Sequence, residues 1–422
     1  MTRFFLLLAF MGASLLPLMA QTTHNISLGS SYVQGQYYNL SNDNTSSLDH
    51  ANWDIAFSVY GNTDAGIFIN EGSSFSGTPP TLYVVPNKVF SDNITTSDFG
   101  NTLSNPEEAW STGAFNTTKV AGDWMDYGWG SYDMTSHEVL GTRLYVLEWG
   151  NGTYKKMTID RLVSGVYHFR YADLDGSNLQ QRSVDKSTYP NQTLAYFSFA
   201  TNTASSAEPA GGWDFLFTRY ETTLYSTGTP TPYTVGGILI NQGVEAVLAD
   251  GIDPVTVDIA NYTTHADSLT LVGHDWKSFD FSTGWSVDND RVYFVKTAND
   301  QLYKVEFIDF QGSSSGIATF QKTYLGVWNN LQKRPNSLVT QLGTYPNPAT
   351  TEINVTFSLS RSLEGAELSL CNTLGQVVHQ QLLQTQTGLN GLVVPTNHLP
   401  RGTYFLTLQA QDEVLTTAVI IQ

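Results

Sequence analysis

Three observations predict an all-β protein. Apolar and polar residues alternate at period two in segments such as LYVLEW (144–149) and VYFVKT (292–297), the pattern of strands in antiparallel sheets. Asn151-Gly152 and Asn299-Asp300 follow those segments, and such dipeptides turn a chain into a tight hairpin. No stretch places apolar residues at the spacing of an amphipathic helix. With 41% hydrophobic and 13% aromatic residues, the chain carries material for two or three cores of ordinary size. Only 14% of residues are charged while glycine is abundant, which suits turn-rich exported sheets better than a cytosolic helical protein.

The chain opens on MTRFFLLLAFMGASLLPLMA (1–20). Arg3 before an apolar run and a small residue at Ala20 give the layout of a cleavable secretory signal, with cleavage expected before Gln21. No lipid-anchoring cysteine follows, and no later run reaches the roughly 18–20 apolar residues of a membrane helix. The mature protein is therefore expected to have no membrane span.

Next come two copies of one pattern. QYYNLSN (36–42) leads to NWDIAFSVY (52–60), and AYFSFAT (195–201) leads to GWDFLFTRY (212–220). AGIFINEG (65–72) and GGILINQG (236–243) follow, each ending in the same turn chemistry. DWMDY (123–127) then matches DWKSF (275–279), and the hairpins 142–159 and 290–307 match in turn. Each copy closes on a glycine-led strand, GVYHFRY (165–171) and GIATFQKTY (316–324). Motifs in one order at near-constant offset indicate duplication, with repeat 1 expected over 25–172 and repeat 2 over 190–326. The Trp53-Asp54 and Trp213-Asp214 pairs are read as structural, the indole supplying core area and the carboxylate satisfying backbone amides.

Residues 327–343, polar around Pro335, are expected to be a linker. The remainder, 344–422, holds short alternating strands broken by turns about every ten residues, the signature of a seven-stranded sandwich.

This last segment resembles the type A sorting domain of type IX secretion in Bacteroidota. The likeness rests on Tyr345-Pro346-Asn347-Pro348, Leu374-Gly375, and Leu399, Gly402, Tyr404 and Leu406. It implies passage through the periplasm to the outer surface or the medium, with the type IX machinery as partner. Residues 25–326 resemble the HmuY family of haem-binding proteins in tandem, most closely through Tyr196-Phe197-Ser198-Phe199, Trp213-Asp214, Arg291–Val295 and Tyr303–Phe307. The full expectation is thus two tandem antiparallel HmuY-like β-domains followed by an immunoglobulin-like β-sandwich sorting domain.

The HmuY resemblance implies haem, or a haemoprotein, as partner. Family haem binders carry a histidine five residues after the Trp matching Trp276, and here that position is Phe281; in repeat 1 it is Trp129. Neither ring ligates iron. Met134 and His137, in the longer loop 128–141, are the remaining haem-ligand candidates. His168 reads as an ordinary strand residue, and His265 and His274 as loop residues.

Other chemistry is sparse. A net charge of −18 repels nucleic acid and anionic membranes. The single Cys371 rules out an intramolecular disulfide and reads as a small apolar strand residue. ADLDGSN (172–178) spaces Asp173, Asp175 and Asn178 as a calcium loop does, without the downstream bidentate Glu. No metalloprotease, phosphate-loop or nucleophile motif is present, so no enzymatic role is expected. A non-enzymatic exported binding protein is the leading reading, and a structural or adhesive surface protein that has lost its ligand is the alternative. Binding predicts an apolar pocket; adhesion predicts an exposed aromatic patch.

Overall fold

The computed structural model describes residues 21–61, 64–72, 80–225, 228–262, 264–328, 338–359, 361–362, 364–386, 388–411 and 413–422. The expected signal peptide and residues 329–337 of the expected linker lie outside them. The regular structure is antiparallel β-strand interrupted by three-residue 3-10 turns, as the period-two pattern predicts. The chain divides into one unit running to Val257 with Thr264–Gly326, and a second of Asp258–Thr263 with Val327–Gln422.

The larger unit is built on two inner sheets. One has the strand order Thr203–Ser205, Leu194–Ser198, Ile55–Ser58, Ile67–Ile69; the other has Thr45–Asp49, Gln34–Tyr38, Phe215–Leu224, Thr231–Ile240. In both, a repeat's opening hairpin pairs with the Trp-Asp strand of the other repeat. Phe197 lies opposite Ile55, and Tyr38 lies opposite Phe215. The cause is a short connection. To join its own Trp-Asp strand in this order, Thr45–Asp49 would have to run parallel to Ile55–Ser58 with Gln34–Tyr38 between them. Crossing between parallel strands takes about a dozen residues, and only residues 50–54 are there. The hairpin therefore pairs with the other copy.

The outer sheets follow the same exchange. Gln180–Asp185, which lies ahead of the expected start of repeat 2 at residue 190, pairs with Val166–Ala172 at the end of repeat 1. Gln21–Ser27 pairs with Ile317–Val327 at the end of repeat 2. Each packing half thus takes its opening strands from the other repeat.

Inner strands alternate between two apolar environments. Ile55, Phe57, Ala195 and Phe197 enter one core, while Tyr38, Phe215, Phe217, Ile238 and Ile240 enter another. The intervening residues, Tyr37, Ala56, Leu194, Tyr196, Leu216 and Leu239, meet in a third cluster that joins the two inner sheets. The central strands of each inner sheet are buried on both faces and read as nearly continuous apolar runs, while the edge strands Thr45–Asp49 and Thr203–Ser205 are largely exposed.

The junction is pinned by matching polar contacts. Asp54 N–H donates to Phe197 O and its carboxylate accepts from Phe199 N–H at 2.7 Å. Asp214 N–H donates to Tyr38 O and its carboxylate accepts from Leu40 N–H at 2.7 Å. Asn70 and Asn241 each donate a side-chain amide to the carbonyl of the nearby tryptophan, Trp53 and Trp213, at 2.8 Å. The hydroxyls of Tyr37 and Tyr196 meet each other. The Trp-Asp pairs thus occupy matching places and satisfy backbone amides, those of the opposite repeat.

The second unit holds two sheets of three and four strands. The first has the order Val339–Tyr345, Glu352–Leu359, Gly388–Pro395; the second has Val377–Gln384, Glu364–Asn372, Gly402–Ala410, Glu413–Ile421. Ile353, Val355 and Phe357 from one and Leu368, Leu370, Leu406 and Leu408 from the other share a core. The sandwich begins at Val339, so the last residues of the expected linker are strand. Their partner is Glu352–Leu359, with Leu342 opposite Phe357.

Glu208 tests the junction. Its carboxylate accepts from Thr193 N–H, Leu194 N–H and Trp213 Nε1–H, at 2.8, 2.8 and 2.9 Å. Glu208→Ala strands three buried donors and is expected to cost about 3 kcal/mol, read as a lower guanidinium midpoint with an unchanged slope.

Candidate functional site

Where the inner sheets meet near Trp53, packing leaves a cleft. Its walls include Leu48, Trp53, Phe68, Trp110, Tyr196, Leu216, Tyr220 and Leu239, drawn from both repeats by the exchange. The free volume inside it is about 60 Å³, so the cleft is small. Trp110 is fixed by its Nε1–H, which donates to Ile240 O at 2.8 Å.

Polar groups line the same cleft. Glu71 accepts from Asn105 N–H at 2.7 Å and from Glu221 N–H at 3.0 Å. Burial pushes its carboxyl up to about 7, against the pull of those bonds. Glu221 accepts from Ser104, and Glu107 accepts from Thr222 Oγ1–H at 2.6 Å. Arg219, also lining the cleft, is 8% exposed and lies 5.9 Å from the Tyr32 ring.

His50 packs beside this wall, fully buried. Its ring lies against Gly72, where a Cβ would sit 2.3 Å from Cε1, so glycine alone fits there. Its Nε2 is 3.5 Å from Thr218 Oγ1, and its Nδ1 has no hydrogen-bond partner among the described residues. Burial first, then Arg219, hold its pKa near 4, so the imidazole is neutral at physiological pH.

The residues singled out from sequence lie elsewhere. Met134 and His137 stand in the turn between the strands Gly130–Asp133 and Glu138–Gly141. Met134 is 65% exposed. His137 has φ 58° and its Nδ1 lies 2.8 Å from Tyr132 OH. The turn brings these two candidates together, and neither lines the cleft. Phe281 is 99% exposed, whereas Trp129 is fully buried and donates to Ala65 O at 2.8 Å. His168 is a partly buried strand residue opposite Arg161 and Ser183. His274 Nδ1 lies 3.3 Å from Tyr220 OH. In the 172–178 loop, Asp173 pairs with Lys155 and accepts from Asn178 at 2.5 Å.

Sequence reasoning missed Glu71, Trp110 and Arg219 as cleft residues. One signal was there. Glu71 stands in N-E-G where the other copy has N-Q-G, an ionisable group at the end of a fully apolar strand.

In the second unit the Tyr345-Pro346-Asn347-Pro348 motif ties down the final strand. Asn347 Nδ2–H donates to Ala418 O and Asn347 Oδ1 accepts from Ile420 N–H, both at 2.9 Å. Tyr404 OH donates to Pro400 O at 2.7 Å. Residues 343–422 match the family described as the secretion system C-terminal sorting domain.

This segment is a type IX sorting domain. It marks the chain as a Bacteroidota protein exported through the periplasm to the cell surface or the medium. No helix among the described residues is long and apolar enough to cross a membrane. No curated protein matches the chain. Among solved structures it is similar to a candidate lipoprotein from Bacteroides fragilis at 15% identity, covering 47% of this chain and 95% of that one, with a TM-score of 0.17. It is also similar to dimeric latent PorU from Porphyromonas gingivalis at 11% identity, covering 68% of this chain and 31% of that one, with a TM-score of 0.20. Both likenesses are too distant to assign a fold or an activity.

Glu71 gives the cleft a pH signature. Its folded pKa of about 7 stands above the ordinary 4.5, so its contribution is fully present below pH 4.5 and is lost as pH rises through 7. Relative to Glu71→Gln, the native chain is expected to lose on the order of 3 kcal/mol across that window, measured by denaturant unfolding at a series of pH values.

Proposed function

We propose that this protein is an exported, non-enzymatic binding protein that holds a small flat ligand in the cleft between the exchanged sheets. The observation that carries this is the aromatic wall of Trp53, Phe68, Trp110, Tyr196 and Tyr220, with a few fixed polar groups set into it. Such a lining is typical of small-molecule sites. The sorting domain supports the reading by placing the cleft outside the cell, where capture of a scarce ligand is useful.

Haem is a separate proposal that rests on the HmuY resemblance: its proposed axial donors, Met134 and His137, stand in the turn between Gly130–Asp133 and Glu138–Gly141 and not in the cleft. Titration of the chain from Gln21 with haemin is expected to shift the Soret band, and the shift is expected to vanish in a Met134→Ala, His137→Ala double variant. An unshifted band removes haem and leaves the cleft reading standing by itself.

A structural or adhesive role is the second reading. Phe279, Phe281 and Trp285 are 52%, 99% and 39% exposed, and their rings touch at 5.2–5.4 Å. Exposed aromatic clusters of this kind mark contact surfaces. Phe281→Ser combined with Trp285→Ser is expected to reduce cell-to-cell adherence under this reading and to leave haemin titration unchanged.

Export itself has a direct test. A chain ending at residue 337 is expected to accumulate in the periplasm, detected by fractionation, while the full chain reaches the surface or the medium.

A further inference from the structure

The duplication leaves a second mark on the seam. Ser46-Ser47-Leu48-Asp49 and Ser205-Ser206-Ala207-Glu208 repeat one pattern of two serines, an apolar residue and an acid. They hold matching places, since Ser46 lies opposite Tyr37 and Ser205 lies opposite Tyr196. Each pattern starts on the edge strand of its inner sheet, Thr45–Asp49 in one and Thr203–Ser205 in the other. The two edges approach each other, and Ser46 Oγ–H donates across to Ala207 O at 3.0 Å.

Between them is a pocket with a free volume of about 400 Å³, against about 60 Å³ in the cleft. That is within the ordinary range of small-molecule sites. Ser46, Ser47, Ser205 and Ser206 line it from both repeats, joined by Asp49 and Asn52. All of these but the half-buried Ser46 are exposed, so a ligand reaches them from solvent. Asn52 Nδ2–H donates to Asp49 at 3.1 Å and Ala51 N–H donates to the same carboxylate at 2.8 Å, which sets both side chains before a ligand arrives. Trp53, half-buried and packed on Tyr196 at 4.9 Å between ring centroids, adds an aromatic surface.

These groups suit a sugar. The negative face of an indole attracts C–H hydrogens, and hydroxyls, a carboxamide and a carboxylate exchange hydrogen bonds with the hydroxyls of a sugar ring. The carboxylates of Asp49 and Glu208 line the pocket, and no Lys, Arg or His is among the described residues that do, so an anionic ligand is repelled. A peptide adding as a strand takes its specificity from pockets for alternate side chains, and this lining offers mostly polar side chains instead. We infer that the pocket binds a neutral saccharide, with a sugar ring on Trp53 and its hydroxyls bonded to the paired serines, Asn52 and Asp49. This second site does not depend on the cleft reading, although Leu48, Trp53 and Tyr196 border both spaces.

Saturation-transfer NMR on the full chain from Gln21 tests this, with lactose, maltose and cellobiose as neutral probes and 3′-sialyllactose as a charged one. At least one neutral disaccharide is expected to receive saturation at its ring C–H protons, and sialyllactose is expected to bind more weakly than that sugar. Ser47→Val combined with Ser205→Val, which puts β-branched side chains at exposed strand positions, is expected to lower the affinity about tenfold. Asn52→Ala, outside the strands, is expected to weaken binding as well and serves where the double variant does not fold. Unchanged affinity in a folded variant overturns the pocket. Transfer to none of the neutral probes overturns the saccharide, as does binding of an acetylated and amidated Ser-Val-Thr-Val-Ser peptide without any sugar. Tighter binding of sialyllactose than of every neutral probe overturns the uncharged ligand.

Discussion

The five residues between Asp49 and Ile55 constrain the larger unit more than any single contact does. They are too few to carry the chain across an intervening strand, so with Gln34–Tyr38 as the pairing strand the opening hairpin cannot reach its own repeat's Trp-Asp strand. The longer connection from Ser205 to Phe215 joins elements in the same arrangement. From that restriction follow the exchange of hairpins, the pairing of the first strand with the last, and the meeting of two inner sheets along a shared aromatic seam. A duplicated sequence that might have folded as beads on a string becomes one interlocked body.

Interlocking brings polar groups into an apolar seam, and the structure handles them by assigning each a backbone partner. Asp54 and Asp214 hold their carboxylates against amides of the opposite repeat, and Glu208 holds its own against Thr193 and Leu194 of its own repeat. Burial raises the pKa of all three, to about 6 for Asp214 and Glu208. These groups specify the register of the junction while opposing its stability at neutral pH. Specificity of this kind is a known use of buried polar groups in some systems. Arrangements that hold polar atoms in place also leave room for asymmetry, and the difference between the buried Glu208 and the exposed Asp49 is where the two halves part company.

Much of this was legible in the residues. Period-two alternation in LYVLEW and VYFVKT marked strands, the Asn-Gly corner at Asn151 marked a hairpin, and the repeated Trp-Asp pairs marked equivalent positions. The motif at Tyr345 marked the sorting domain, because a side chain that must bond a distant strand is fixed in type and place. Which copy a hairpin joins was harder to read, since Ile55 and Phe215 offer almost the same edge to it. The cleft was hidden for the same reason: its walls come from segments such as 48–53, 68–71, 105–110 and 216–221, which only the exchange brings together. Met134 and His137 stand out in the sequence because histidine and methionine are common iron ligands. A glutamate in a turn or a serine on an edge strand gives no comparable sign until its neighbours are known.

The strand Gln21–Ser27 finds its partner in Ile317–Val327, with Asn25 and Thr319 bonded across 294 positions of sequence. A chain emerging N-terminus first therefore cannot finish its larger body until almost all of that body has crossed the inner membrane, and closing so long a loop is slow. The sorting sandwich is made mostly of neighbouring hairpins, so it can mature quickly once it arrives. The sorting domain is thus last across the inner membrane and pairs mostly with its own neighbours, whereas the larger unit closes only when its two ends meet.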